Sequence, residues 1–175
     1  MAVIENFSVH VLKPDTFYIQ IGSSPVTCVR LVDKRIWCAC GNRIVILSAR
    51  TLDTIDQFQV SSSTLDYVSL IQPSKCSDSD LIQGVWLSIR GSSVIQLWDP
   101  HTLTCKLLYD VRDDRYPKSP KDEEHELNQA RITALLPLHG SVLVGTAEGF
   151  LIIYDMVKRI ATEGSTSPAF MKQIS

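Results

Sequence analysis

No run of about twenty apolar residues exists anywhere in these 175 residues, so no segment has the length a membrane-spanning helix needs. The opening Met1-Ala2-Val3-Ile4-Glu5-Asn6 carries neither a basic stretch nor a cleavable apolar core. The expectation is a cytoplasmic protein with no transmembrane segment. Charge of one sign is missing as well. Seventeen basic and 19 acidic residues leave a net charge of −2, which offers nucleic acid or an anionic membrane no overall attraction. The five cysteines (Cys28, Cys38, Cys40, Cys76, Cys105) contain no C-x-x-C pair, and His10, His101, His125 and His139 are scattered. A zinc centre is therefore not expected, and buried reduced thiols are. Gly-x-Ser-x-Gly is absent. Gly145-Thr146-Ala147-Glu148-Gly149 lacks the following Lys-Ser/Thr and helix of a phosphate loop. Asp113-Asp114 and Glu123-Glu124 lie in a stretch too polar to hold two carboxylates rigidly across a cleft. Neither a cofactor nor catalysis is expected.

What the chain does have is repetition. Arg35-Ile36-Trp37-Cys38-Ala39-Cys40-Gly41 leads into Ile44-Val45-Ile46-Leu47. Gly84-Val85-Trp86-Leu87-Ser88-Ile89-Arg90-Gly91 leads into Val94-Ile95-Gln96-Leu97-Trp98-Asp99, and Ser141-Val142-Leu143-Val144-Gly145-Thr146 into Phe150-Leu151-Ile152-Ile153-Tyr154-Asp155. Gly41 stands 50 residues before Gly91, and Asp99 stands 56 before Asp155. A period near 40–50 residues with several strands per unit marks a β-propeller blade. Trp37, Gly41, Trp86, Gly91, Asp99, Gly145 and Asp155 are its structural repeat positions.

The strands of the first unit are expected at Val26–Val32, Arg35–Cys40, Arg43–Ser48 and Thr54–Val60. Those of the second are expected at Asp66–Ile71, Gln83–Arg90, Ser93–Trp98 and Thr104–Tyr109. The third begins at Arg131–Leu136 and continues through Val142–Thr146 and Phe150–Asp155. A polar loop is expected over Gln72–Asp80. The chain thus divides into 1–21 (a strand pair, Phe7–Leu12 and Phe17–Ile21, from a preceding blade), 22–62 (a blade) and 63–110 (a blade). Then follow 111–130 (a mobile charged loop), 131–158 (a partial blade) and 159–175 (a flexible tail). The fold class is all-β: an incomplete β-propeller with two full blades and partial flanking blades, which the resemblance given next makes WD40-like. Rings use about four to eight blades, so blade faces are left open, and the expectation is self-association or binding of protein partners through them.

Leu97-Trp98-Asp99, ending a third strand, matches the dipeptide that gives WD repeats their name; the Gly-His half of that signature is missing. Together with Ser24-Pro25-Val26-Thr27, Lys34 to Gly41, Val94 to Asp99, Leu103 to Leu107, Arg131 to Leu135 and Leu143 to Gly149, it resembles the C-terminal WD40-type propeller of the leucine-rich-repeat kinases of the Roco family. Val85 to Arg90 and Arg131 to Leu136 look at least as much like the divergent propellers of large Rho guanine-nucleotide exchange factors and JNK-interacting scaffold proteins. The resemblance covers roughly residues 22–158. It implies a non-catalytic interaction and self-association module beside a kinase, an exchange domain or a coiled coil. A kinase's His-Arg-Asp, Asp-Phe-Gly and Val-Ala-Ile-Lys segments are all absent.

Candidate contact residues are Trp98, nearer a blade edge, and Arg115, Tyr116, Lys118 and Ser119 in the charged loop, where Ser119-Pro120 is a conceivable phosphorylation site. Trp37 and Trp86, on second strands, are expected to fill the space between blades.

Overall fold

A computed structural model of the chain describes residues 18–74, 83–112, 130–138 and 140–155. These form three antiparallel sheets and contain no helix. The first holds β1 (Val26–Val32), β2 (Arg35–Cys40), β3 (Arg43–Ser48) and β4 (Thr54–Gln59) in sequence order. The second holds β5 (Val68–Ser74), β6 (Gly84–Ile89), β7 (Val94–Trp98) and β8 (Cys105–Asp110). The third holds β9 (Ile132–Leu138), β10 (Ser141–Thr146) and β11 (Leu151–Asp155).

Turn chemistry places these strands. Gly41 (φ 63°) and Gly91 (φ 79°) turn the second strands of the first two sheets into the third, in the left-handed region that a side chain disfavours. At the opposite end, Leu52 (φ 65°) and Leu103 (φ 55°) accept that conformation without being glycine. Each is held by its own N–H, donated to Ser48 O at 2.9 Å and to Asp99 O at 3.0 Å respectively. A bulge interrupts the third-to-fourth-strand pairing at matching places, with Ile55 of β4 the extra residue opposite Ile46 and Leu47, and Lys106 of β8 the extra residue opposite Leu97 and Trp98.

The sheets are stitched at the glycine-turn end. Val68 N donates to Gly41 O at 2.9 Å, and Ile132 N donates to Ser92 O at 3.1 Å. Each second-to-third-strand turn therefore holds the first strand of the next sheet. Apolar side chains fill the seams between. Trp37, Ile44 and Ile46 of the first sheet pack with Ile71, Leu87 and Trp98 of the second. Trp86, Ile95 and Leu97 on the second sheet's other face pack with Leu135, Val142 and Tyr154 of the third. Alternation along each strand explains why one sheet feeds two seams.

Two expectations change. β5 continues through Gln72, Pro73 and Ser74, where a loop was expected, with Pro73 opposite Val85. β5 is the innermost strand of its sheet, so the missing proline N–H costs no bond on its free side. Residues 18–21 carry no strand; the rest of the expected first hairpin lies outside the described residues.

Candidate functional site

Register relates the three sheets position by position. Trp37 pairs with Ile46, Trp86 with Leu97, and Leu143 with Ile153. One step along, Ala39 pairs with Ile44, Ser88 with Ile95, and Gly145 with Leu151. In the first two sheets these side chains face the next sheet; Ile44, Ile46, Ile95 and Leu97 are all 0% exposed. In the third sheet Val142 and Val144 turn toward the second sheet, so Leu143 and its row point away. There Ile153 is 64% exposed, Leu151 67% and Leu136 54%. Ala134, Leu136, Leu143, Leu151 and Ile153 thus form an apolar face with no charged side chain among them. The first sheet's outward face differs. Cys38, Cys40, Val45 and Leu47 are buried there, with Ile21 packed against them, while Val29 and Leu31 on the innermost strand are exposed.

A second feature lies at the strand ends opposite the glycine turns. The β1–β2 turn of the first sheet and the β7–β8 turn of the second flank a cleft of about 250 Å³, bordered by Asp33, Lys34, Arg35, Trp37, Pro100 and His101. An adjoining lobe of about 280 Å³ runs past Ser74, Gln83, Asp99 and Lys106. Arg35 crosses the seam, donating from Nη1 to Pro100 O at 3.2 Å. Asp99 Oδ1 accepts from His101 N at 2.7 Å and Thr102 N at 3.0 Å, and Oδ2 lies 2.9 Å from Lys106 Nζ. The Lys106 hydrogen bond, with those from the Thr102 and His101 amides, holds the Asp99 carboxyl well below the usual carboxylate range. Trp37 is fully buried, yet its Nε1 has no hydrogen-bond partner; the same holds for Trp86 Nε1.

Of the residues singled out from sequence, Trp98 is only 8% exposed and lies within the first seam. Its ring centroid is 4.6 Å from that of Phe58, and its Nε1 donates to Gln96 Oε1 at 2.8 Å. Trp37 and Trp86 lie in the first and second seams. Gly41 and Gly91 occupy turns, and Gly145 lies opposite Ala134. Asp99 and Asp155 hold equivalent ends of third strands. Arg115, Tyr116, Lys118 and Ser119 lie outside the described residues. Val111 and Ala130, described residues on either side of them, are both fully buried and lie at the glycine-turn end.

Sequence reasoning missed the cleft because it joins two turns from different repeats. It also missed Gln96, though a signal existed: a lone amide in an apolar strand, two residues before Trp98, shares its face. Among the described residues no three His, Cys, Asp or Glu side chains gather as metal ligands.

The model of the WD40 repeated domain matches residues 10–160. The chain is 29% identical over 159 residues to human Rho guanine nucleotide exchange factor 17, covering 87% of this chain and 7% of that protein. It is 30% identical over 162 residues to a Caenorhabditis elegans JNK-interacting protein, covering 86% and 12%. It therefore spans only 7–12% of the length of these curated relatives. Among solved structures, the WD40 beta propeller domain of Doa1 superposes with a TM-score of 0.54 at 12% identity, over 77% of this chain and 38% of that one.

Proposed function

From the premise that this chain belongs to the WD40 repeated-domain family and forms part of a propeller, we propose that it is a protein-interaction module that self-associates through the open face of its third sheet. One observation carries this reading. Ile153 and Leu151 are 64% and 67% exposed where the equivalent residues of the other two sheets are 0% exposed. Burying such a face gains roughly 25 cal/mol for each Å² of apolar surface removed from water. The centre of this face carries no charge, Asp155 standing only at its end beside Ser141, which favours association through it. The relatives support a parent of the Rho exchange-factor or JNK-scaffold kind; a Roco kinase parent rests on the sequence resemblance alone.

Sedimentation velocity over a range of concentrations tests the reading. The chain is expected to associate as concentration rises, and the Leu151→Lys/Ile153→Lys double variant to remain monomeric with unchanged circular dichroism. A wild-type chain that stays monomeric throughout would sink it. Reproducible turnover, abolished by one substitution in β1, β5 or β9, would replace it with an enzymatic reading.

A further inference from the structure

We propose that two copies of this chain join head to tail, residues 17–21 of each copy adding to the outer edge of the other's β11 as the fourth strand of its third sheet. The inference rests on the self-association proposed above and names the surface that meets the open face. It starts from register. In the first two sheets a fourth strand flanks the third, setting Phe58 opposite Ile44 and Tyr109 opposite Ile95. Two residues further on, Val60 N donates to Asn42 O and Val111 N to Ser93 O, both at 2.9 Å. Phe58 and Val60 pack into the first seam, and Leu107, Tyr109 and Val111 into the second. A fourth strand thus supplies alternate apolar residues, the last of which bonds to the glycine turn.

Among the described residues β11 is the outer strand of the third sheet. Thr146 N donates to Phe150 O, so Ile152, two residues on, bonds to β10, and the N–H and C=O of Leu151 and Ile153 face the edge. The chain's own continuation does not suit that edge. Counted from Asp155 as from Asp99, Glu163, Ser165 and Ser167 fall where Leu107, Tyr109 and Val111 stand. Phe17, Ile19 and Ile21 do suit it, being apolar at alternate places. Ile21 packs on the first sheet's outward face, as Val60 packs in the first seam. Yet residues 18–21 carry no strand, and Ile19 is 48% exposed. The segment has a fourth strand's pattern and, among the described residues, no third strand to bond. Set on the partner's β11, Ile19 stands opposite the partner's Leu151, and the first sheet's outward face closes over the partner's third sheet. The innermost strands agree. Val29 and Leu31 of β1 are exposed on one of these faces, and Leu136 and Leu138 of β9 on the other, so one seam covers all four. Two copies of three sheets make six, within the range of about four to eight for a closed ring, and two identical head-to-tail contacts close it.

Sedimentation velocity of the full chain and its variants tests this. The unaltered chain is expected to associate as far as a dimer and no further. Ile19→Lys sets a charge beside the partner's Leu151, and Leu151→Lys/Ile153→Lys charges the other half of the contact. Each alone is expected to raise the concentration needed for association about tenfold or more, with unchanged circular dichroism because these side chains are exposed. Ile19→Val is expected to associate as the unaltered chain does. A head-to-tail contact needs one intact half from each copy, so mixing the two charged variants is expected to restore a dimer, weaker than that of the unaltered chain. If Ile19→Lys associates as the unaltered chain does, or the mixture stays monomeric, head-to-tail pairing is overturned while association through the open face stands. Species growing beyond the dimer would overturn the closed pair. An unaltered chain that is monomeric at every concentration would overturn both.

Discussion

At position 99 one carboxylate takes on three donors: the amides of His101 and Thr102, and the Lys106 ammonium. Ser48 does the same work at the equivalent turn with a hydroxyl, accepting from Arg50 N and Thr51 N, both at 3.2 Å. Replacing Asp99 with Ala is expected to cost about 1–2 kcal/mol in urea denaturation, as loss of a capping acceptor does. Because the Asp99 pKa is lowered in the folded protein, its contribution is present above the unfolded value of about 4 and is lost as pH falls below it. Asp99→Asn should therefore flatten that part of the acid transition, while leaving the slope at neutral pH unchanged. Glycine makes a similar contrast. A Cβ on Gly84 would meet Trp98 O at 2.5 Å, whereas one on Gly91 would meet nothing within 4 Å. Gly84→Ala is expected to cost about 1–3 kcal/mol by overpacking. Gly91→Ala should cost about 1 kcal/mol, through its φ of +79° alone. Equal losses in thermal melts would refute this distinction.

Strands of the same rank meet different fates according to what lies beside them. Trp86 and Leu143 occupy matching register positions, yet Trp86 is sealed between two sheets and Leu143 lies on an uncovered one. Trp86→Ala should cost about 3–5 kcal/mol. Leu143→Ala, at a half-buried position, should cost less, about 1–2 kcal/mol in the monomer; chemical denaturation of the two variants checks the ratio. Strand boundaries were readable to within a few residues from alternation and turn residues alone. β1 (Val26–Val32), β2 (Arg35–Cys40) and β3 (Arg43–Ser48) lie where sequence placed them. β5 ran past its expected end because an inner edge strand tolerates Pro73, and local composition does not reveal edge status.

Across the whole molecule, burial is graded. The second sheet is packed on both faces, the third on one. Hydrogen exchange should follow that gradient: slowest at β6 and β7, fastest at β11, whose Leu151 and Ile153 are exposed. Uniform protection across the sheets would contradict it. The cysteines offer a second gauge. Cys38 and Cys40 are buried, and burial, with help from the neighbouring thiols Cys40 and Cys28, pushes the Cys38 thiol up. Iodoacetamide is expected to reach Cys105, which is exposed, before either of them, and to reach Cys38 only on unfolding.

The chain's own order of residues determined the strands, their turns and the period that makes the third sheet a variation on the first two. Those features depend on local conformational preference and on period-two alternation, both of which act within a few residues. Tertiary structure decided what covers each face. Alternation in β10 says that Val142 and Leu143 point to opposite sides, but only the placement of the second sheet makes one fully buried and leaves the other half-buried. It likewise moved Trp98 from an expected edge into a seam against Phe58. And it set the 33–34 turn beside the 99–101 turn, making a cleft from residues that no spacing in the sequence connects.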